Sequence, residues 1–146
     1  AVVGLFSLAF CQNKIDVPKV VTDAFSAKYP TAKKVAWEME DATEYEAEFK
    51  LDGAEMSANF KTEGTWLETE MEIDKKDLPE VVKTAIATQF SDYELEEAEQ
   101  VEKPGAAMAY EVQLENEATD TEIEAVFGAD GTLIKQEVKT EDDDDK

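Results

Sequence analysis

The residues of this chain that could do chemistry are glutamates spaced two positions apart in two segments. Glu46 and Glu48 form one such pair, and Glu68 and Glu70 form another. A period of two is typical of β-strands, so each pair of carboxylates lies on one face of a sheet. Carboxylates arranged in this way could attract a basic partner, hold a cation or supply acid and base to a hydrolase.

The hydrolase interpretation is disfavoured by the expected surroundings of these carboxylates. An inverting glycosidase uses two carboxylates roughly 6.5–9.5 Å apart, but its acid needs an apolar pocket to raise its pKa. The glutamates here are predicted on an open, hydrated face, so we expect no catalytic residue and no enzymatic activity. No Asp-x-Asp-x-Asp-Gly loop is present to bring calcium ligands together, and we therefore expect no metal site and no cofactor.

The composition excludes several other kinds of site. The 146 residues include 36 acidic residues against 14 basic ones, all of them lysines, and the formal net charge is −22. There is no histidine and only one cysteine, which excludes histidine-based triads and zinc clusters. The negative charge would repel nucleic-acid phosphates. Since 42% of the residues are apolar, we expect a folded core in one domain or in two small units that share it.

Short turns determine how the glutamate-bearing strands pair. Asp52-Gly53, Glu63-Gly64 and Asp130-Gly131 are typical of tight hairpin turns. With Asp52-Gly53 as the turn, Tyr45 faces Phe60 and every inward pair is apolar, whereas a slip of one residue would bring glutamates into the core. With Glu63-Gly64 as the next turn, Phe60 is predicted to face Leu67.

These registers predict two outward rows across three strands. One row is Glu46-Asn59-Glu68 and the next is Glu48-Ser57-Glu70. The same pairing puts Trp66 on this outward face opposite Lys61, and Trp37 in the core. The candidate binding residues are therefore Glu46, Glu48, Ser57, Asn59, Trp66, Glu68 and Glu70.

Two segments of the chain have similar sequences. Val17-Pro18-Lys19-Val20-Val21 corresponds to Leu78-Pro79-Glu80-Val81-Val82, and Phe60 and Gly64 correspond to Phe127 and Gly131. Each segment is predicted to begin with a helix capped by Asp16 or Asp77 and to continue with alternating strands. We predict an α+β fold, a tandem repeat of a helix plus a four-stranded antiparallel meander, with residues 12–74 as the first repeat and 75–140 as the second.

Both ends of the chain are predicted to lie outside this body. Residues 1–11 resemble a signal segment, because the apolar run from Ala1 to Phe10 precedes Cys11. Leu8-Ala9-Phe10-Cys11 partly matches a lipobox, whereas Ser7-Leu8-Ala9 suits ordinary signal-peptidase cleavage. We expect export, either to the periplasm or to a lipid anchor at Cys11, which would be the only membrane contact. Residues 141–146, EDDDDK, are an acidic tail, either native or a cleavage tag.

One motif resembles a known family. Gly64-Thr65-Trp66-Leu67-Glu68-Thr69-Glu70, preceded by Phe60 and followed by Leu78-Pro79, is similar to the PepSY-like family of exported bacterial proteins, whose fold is related to the beta-lactamase inhibitor protein. The resemblance covers about residues 15–139. It implies helices packed on one face of a joined, curved sheet, and it implies no catalytic residues. Leu133 replaces the tryptophan in the second segment, so a role for that ring belongs to the first.

Two functions stay open from the sequence. The first is a non-enzymatic, exported binding module, inhibitor-like, which uses the acidic sheet face to bind a basic protein or peptide of the cell envelope. The second is a structural or accessory envelope protein with no discrete ligand, whose carboxylates keep a strand face solvated and prevent edge pairing. Saturable, salt-sensitive binding would distinguish the first from the second.

Overall fold

A computed structural model describes residues 15–139 as one antiparallel sheet with two α-helices. The predictions for residues 1–11, for Cys11 and for the tail at 141–146 lie outside the described residues. The elements are α1 (Lys19–Lys28), β1 (Lys33–Asp41), β2 (Glu44–Leu51), β3 (Ala54–Lys61), β4 (Trp66–Glu72), a 3₁₀ turn (Lys75–Asp77), α2 (Glu80–Gln89), β5 (Glu94–Glu102), β6 (Ala109–Asn116), β7 (Thr121–Gly128) and β8 (Leu133–Lys139). Neither helix of this part of the chain has the length and apolar character needed to cross a membrane.

The predicted tandem repeat of a helix plus a four-stranded meander is wrong as the architecture. The strands form a single eight-stranded sheet in the order β1 to β8, with no break between β4 and β5. Backbone pairing from Thr69↔Glu102 to Glu72↔Glu99 joins these two strands. An unpaired β4 would leave a row of backbone donors and acceptors without partners, and β5 satisfies them. The predicted α+β class is correct, but the eight strands form one continuous sheet rather than two repeated units.

Both helices pack on the same face of this sheet. Val21 and Phe25 of α1 cover one cluster on β2 and β3, and Val82 and Ile86 of α2 cover another on β6 and β7. The two clusters lie on the same face of the sheet, because directly paired residues point to the same side. Met71 pairs with Gln100 and Gln100 pairs with Tyr110 across the strands that join the two clusters. The polar side chains that alternate with these apolar ones therefore share the opposite face.

The helices begin later than the sequence predicts. The first residues of α1 and α2 are Lys19 and Glu80, and the N-cap positions are held by Pro18 and Pro79 without a side-chain cap. The backbone of each proline is extended, and its carbonyl accepts the first hydrogen bonds of the helix. Asp77 belongs instead to the 3₁₀ turn, so the predicted aspartate caps are wrong.

The turn at Asp52-Gly53 determines the register of β2 and β3. Both residues have positive φ, 51° at Asp52 and 89° at Gly53, as a tight hairpin turn with the twist of the strands requires. The predicted pairs from Leu51↔Ala54 to Tyr45↔Phe60 are confirmed. The turn therefore sets which glutamates share a face.

Candidate functional site

The strand face opposite the helices carries a band of carboxylates, which we call the acidic face. Its two predicted rows are confirmed by the pairing of three strands: Glu46↔Asn59↔Glu68 and Glu48↔Ser57↔Glu70. The chain brings these side chains together because β2, β3 and β4 are consecutive and are joined by tight turns.

The polar residues in the middle of these rows are buried and bonded unevenly. Ser57 donates a long hydrogen bond of 3.3 Å from Oγ to Glu70 Oε2. Asn59 donates from Nδ2 to Glu44 Oε1 over 2.9 Å, and not to either glutamate of its own row. Asn59 therefore links β3 to the end of β2 rather than to a carboxylate of its own row.

Trp66 does not lie on the acidic face, so the predicted position opposite Lys61 is wrong. A bulge between Asn59 and Phe60 pairs Phe60 with Trp66 rather than with Leu67. Because one extra residue reverses the direction of the side chains that precede it, the Trp66 ring packs on the helix-side core. Lys28 Nζ lies 3.6 Å from the ring centroid, a cation–π contact with α1.

Three further carboxylates lie on the acidic face that are not among the predicted binding residues, although the pairing of the second segment already places Glu111 and Glu124 on the outward face. Glu99, Glu111 and Glu124 lie on the acidic face in β5, β6 and β7, and each is less than one-tenth exposed. The pairs Glu72↔Glu99 and Glu99↔Glu111 bring this second group next to the first. Only Glu99 was missed. The alternation of β5 could have placed Glu99 on this face, but a helix separates β4 from β5, so no short turn predicts how these two strands pair.

Among the buried glutamates of the acidic face that the structure describes, only the two at its sides are paired with lysines. Lys103 Nζ lies 3.0 Å from Glu68 Oε2, and Lys139 Nζ lies 2.7 Å from Glu124 Oε2. Between these flanks lie Glu70, Glu99 and Glu111, and no ion pair joins any of the three to a lysine within residues 15–139. Within the described residues, lysines therefore leave these three carboxyl groups at the centre of the acidic face without an ion pair.

Burial raises the pKa of several carboxyl groups on the acidic face, including that of Glu48, and most strongly that of four of them. The pKa of Glu46 rises to about 8, mainly through burial and then through the hydrogen bond and charge of Glu40. Burial, followed by the charges of neighbouring glutamates, raises the pKa of Glu70 to about 7 and that of Glu99 and of Glu111 to about 8. These groups hold protons near neutral pH unless a positive charge balances them.

The arrangement can bind positive charge at two places. Glu70, Glu99 and Glu111 offer one oxygen each within 4.8 Å of one another, and Glu38, Glu46 and Glu48 do the same at the β1 end of the face. The first set is buried and the second is partly to fully exposed. Chemically, both sets can bind ammonium groups or hard cations through oxygen.

A comparison with protein families identifies the relatives of this fold. The family model described as beta-lactamase-inhibitor-like, PepSY-like matches residues 13–57 and 44–135. The chain belongs to the PepSY-like family. This membership confirms the resemblance inferred from the Gly64–Glu70 motif. A comparison with curated proteins finds no match.

Solved structures with the same fold come from Bacteroides species. A protein of Bacteroides eggerthii described as periplasmic is 23% identical with a TM-score of 0.78, over 85% of this chain and 90% of that one. A DUF2874 family protein of Bacteroides uniformis is 24% identical with a TM-score of 0.76, over 83% and 88%. A BLIP-like protein of Bacteroides fragilis is 24% identical with a TM-score of 0.75, over 90% and 93%. At these identities the likeness establishes a common fold.

Proposed function

We propose that this protein is an exported, non-enzymatic binding module whose acidic face binds a basic segment of a protein or peptide in the cell envelope. The observation that carries the proposal is the excess of carboxylates over lysines across the middle of the sheet. Within residues 15–139, only two of seven glutamates of the face are ion-paired with a lysine, Glu68 with Lys103 and Glu124 with Lys139. The seven are Glu46, Glu48, Glu68, Glu70, Glu99, Glu111 and Glu124. Such a surface is disfavoured when free and gains by meeting cationic groups.

Membership of a family described as beta-lactamase-inhibitor-like supports an inhibitor-like binding function. The chemistry of the face supports binding over catalysis. Its candidate residues are carboxylates, one amide and one hydroxyl, and the chain contains no histidine to act as a base beside that hydroxyl.

Export is part of the proposal. It is supported by the apolar run that precedes Cys11 and by the description of the Bacteroides eggerthii protein as periplasmic. Cell fractionation of the wild-type protein and of a Cys11→Ser variant tests it. A lipid anchor would hold only the wild type in the membrane fraction, a periplasmic protein would be soluble in both, and retention in the cytoplasm would contradict export.

The binding test is a pull-down from envelope extract at low and high salt. The bait variants are Glu46→Gln, Glu48→Gln, Glu68→Gln and Glu70→Gln combined, and a control that neutralises the same number of exposed carboxylates elsewhere, with Glu63→Gln, Glu80→Gln, Asp92→Asn and Glu117→Gln. We expect a basic protein that wild type and control retain at low salt and that the face variant loses.

Binding kinetics of the recovered protein complete this test. Neutralising the face should slow association more than it speeds dissociation, because charge steers the encounter. If the face variant retains the same proteins as wild type, the acidic face is only solvated surface. The accessory envelope role without a discrete ligand would then be the better explanation.

A further inference from the structure

Three carboxylates at the centre of the acidic face converge from three different strands. Glu70 lies on β4, Glu99 on β5 and Glu111 on β6, and an oxygen from each lies within 4.8 Å of the others. All three side chains are more than nine-tenths buried. Three carboxylates this close repel one another strongly where water is scarce, so the arrangement requires positive charge or bound protons.

Two oxygens of this cluster have no hydrogen-bond partner. Glu70 Oε1 and Glu111 Oε1 are buried, and neither finds a donor within the described part of the chain. A buried carboxylate oxygen without a donor costs free energy, and native structures rarely leave one unsatisfied. The other Glu70 oxygen accepts only the long bond from Ser57 Oγ. The two open oxygens therefore point to a ligand that accepts their lone pairs.

The two lysines nearest the cluster do not bind the open oxygens, because each is paired with another glutamate. Lys103 is paired with Glu68 and Lys139 with Glu124, on the two sides of the cluster. Within residues 15–139, the ion pairs nearest the cluster thus involve glutamates beside the three carboxylates and not the three themselves. A positive ion at the centre would complete the neutralisation of the band.

We propose that Glu70, Glu99 and Glu111 bind a divalent cation of the size of Ca²⁺. Calcium takes six to eight oxygen ligands in a flexible geometry, whereas Mg²⁺ demands a near-ideal octahedron, keeps several waters and usually binds through only one or two carboxylates. Three protein carboxylates that lie close together therefore suit Ca²⁺ better than Mg²⁺. The ligand set holds neither nitrogen nor sulfur, which disfavours zinc and copper. Water completes the coordination, and the site needs no protein partner.

The test is calorimetric titration of the purified protein, stripped with a chelator, with CaCl₂ and separately with MgCl₂. We expect one saturable Ca²⁺ site with a dissociation constant on the order of 10⁻⁴–10⁻³ M, as in extracellular calcium modules, and weaker Mg²⁺ binding. Glu111→Gln should weaken Ca²⁺ binding by about tenfold or more, because it removes one charged ligand. Glu117→Gln, an exposed carboxylate in the turn after β6 and outside both sets, is the matched control and should leave the affinity unchanged.

A second variant and a second readout make the result decisive. Glu99→Gln should reproduce the loss, and thermal unfolding should show a Ca²⁺-dependent rise in Tm for wild type and Glu117→Gln only. Both cluster variants should fold, since each relieves repulsion among the carboxylates. Absence of saturable Ca²⁺ binding to wild type, or an equal loss in Glu117→Gln and Glu111→Gln, would overturn the proposal. Because the titration involves no protein partner, its outcome is separate from that of the binding function.

Discussion

The carboxyl groups of Glu46, Glu99 and Glu111 have a raised pKa because the folded sheet removes them from water. Each pKa is about 8, against an ordinary glutamate value of 4.5, and that of Glu70 is about 7. A raised pKa means that the folded chain holds protons that the unfolded chain has released. The stabilisation is therefore fully present below the ordinary pKa and is lost as pH rises through about 7 to 8.

We accordingly expect the free energy of unfolding to fall as pH rises from about 5 to about 9, by about 1–3 kcal/mol after allowance for solvent screening. Denaturant unfolding in the presence of a chelator at several pH values measures this. The combined variant Glu46→Gln, Glu99→Gln and Glu111→Gln should show a much flatter profile, because it has lost three of the titrating groups. Stability that rises with pH over this range would contradict the raised pKa values.

At the scale of the elements, two glycines let the helices approach the hairpins that end each half of the sheet. A Cβ atom on Gly64 would lie 2.9 Å from the carbonyl oxygen of Val20 in α1, and one on Gly131 would lie 2.8 Å from that of Val81 in α2. Both glycines also have positive φ, near 85°. Each helix therefore packs closely against the turn that follows β3 or β7. A larger residue at either position would disturb both the packing of the helix and the turn that sets the strand register.

Gly131→Ala should therefore destabilise the protein by more than backbone strain alone. Gly53→Ala is the matched control, because Gly53 has a similar φ of 89° but nothing within 4 Å of its Cβ position. We expect a loss of about 1 kcal/mol for the control and about 2–4 kcal/mol for Gly131→Ala, measured by denaturant unfolding. Equal losses would mean that helix contact at Gly131 contributes nothing.

At the scale of the whole molecule, two apolar clusters are joined through one sheet. Each helix has its own cluster, yet β4 and β5 pair across the middle and carry the acidic face from one half to the other. The cation site depends on this joint, because Glu70 lies on one side of it and Glu99 and Glu111 on the other. Separating the halves would expose the edge of β4 and divide the site.

Residues 12–74 expressed alone should consequently be less stable than the whole chain. The fragment loses the pairing of β4 with β5, and about 60 residues bury too little apolar surface for more than marginal stability. Thermal unfolding followed by circular dichroism compares the fragment, residues 75–140 and the full protein. Two halves that unfold cooperatively with the stability of the whole would contradict a shared sheet.

The sequence by itself determined the local features of this protein. Alternating apolar residues and the Asp52-Gly53 turn are sufficient to pair Tyr45 with Phe60 and to align the rows of Glu46 and Glu48, because a two-residue turn leaves one register with an apolar core. The absence of histidine and arginine likewise limits the chemistry that this chain could perform in any fold. The family motif from Gly64 to Glu70 is equally local.

Only the tertiary structure decided what lies at the centre of the sheet. The bulge beside Phe60 moved Trp66 to the helix side, and a one-residue shift of this kind leaves no mark in the alternation of β3. The pairing of β4 with β5 joins strands separated by a helix, so no turn specifies its register. That pairing converts a predicted tandem repeat into one continuous sheet. It also brings Glu70 to Glu99 and Glu111, which are far apart in sequence and share a site only because backbone hydrogen bonds close the joint.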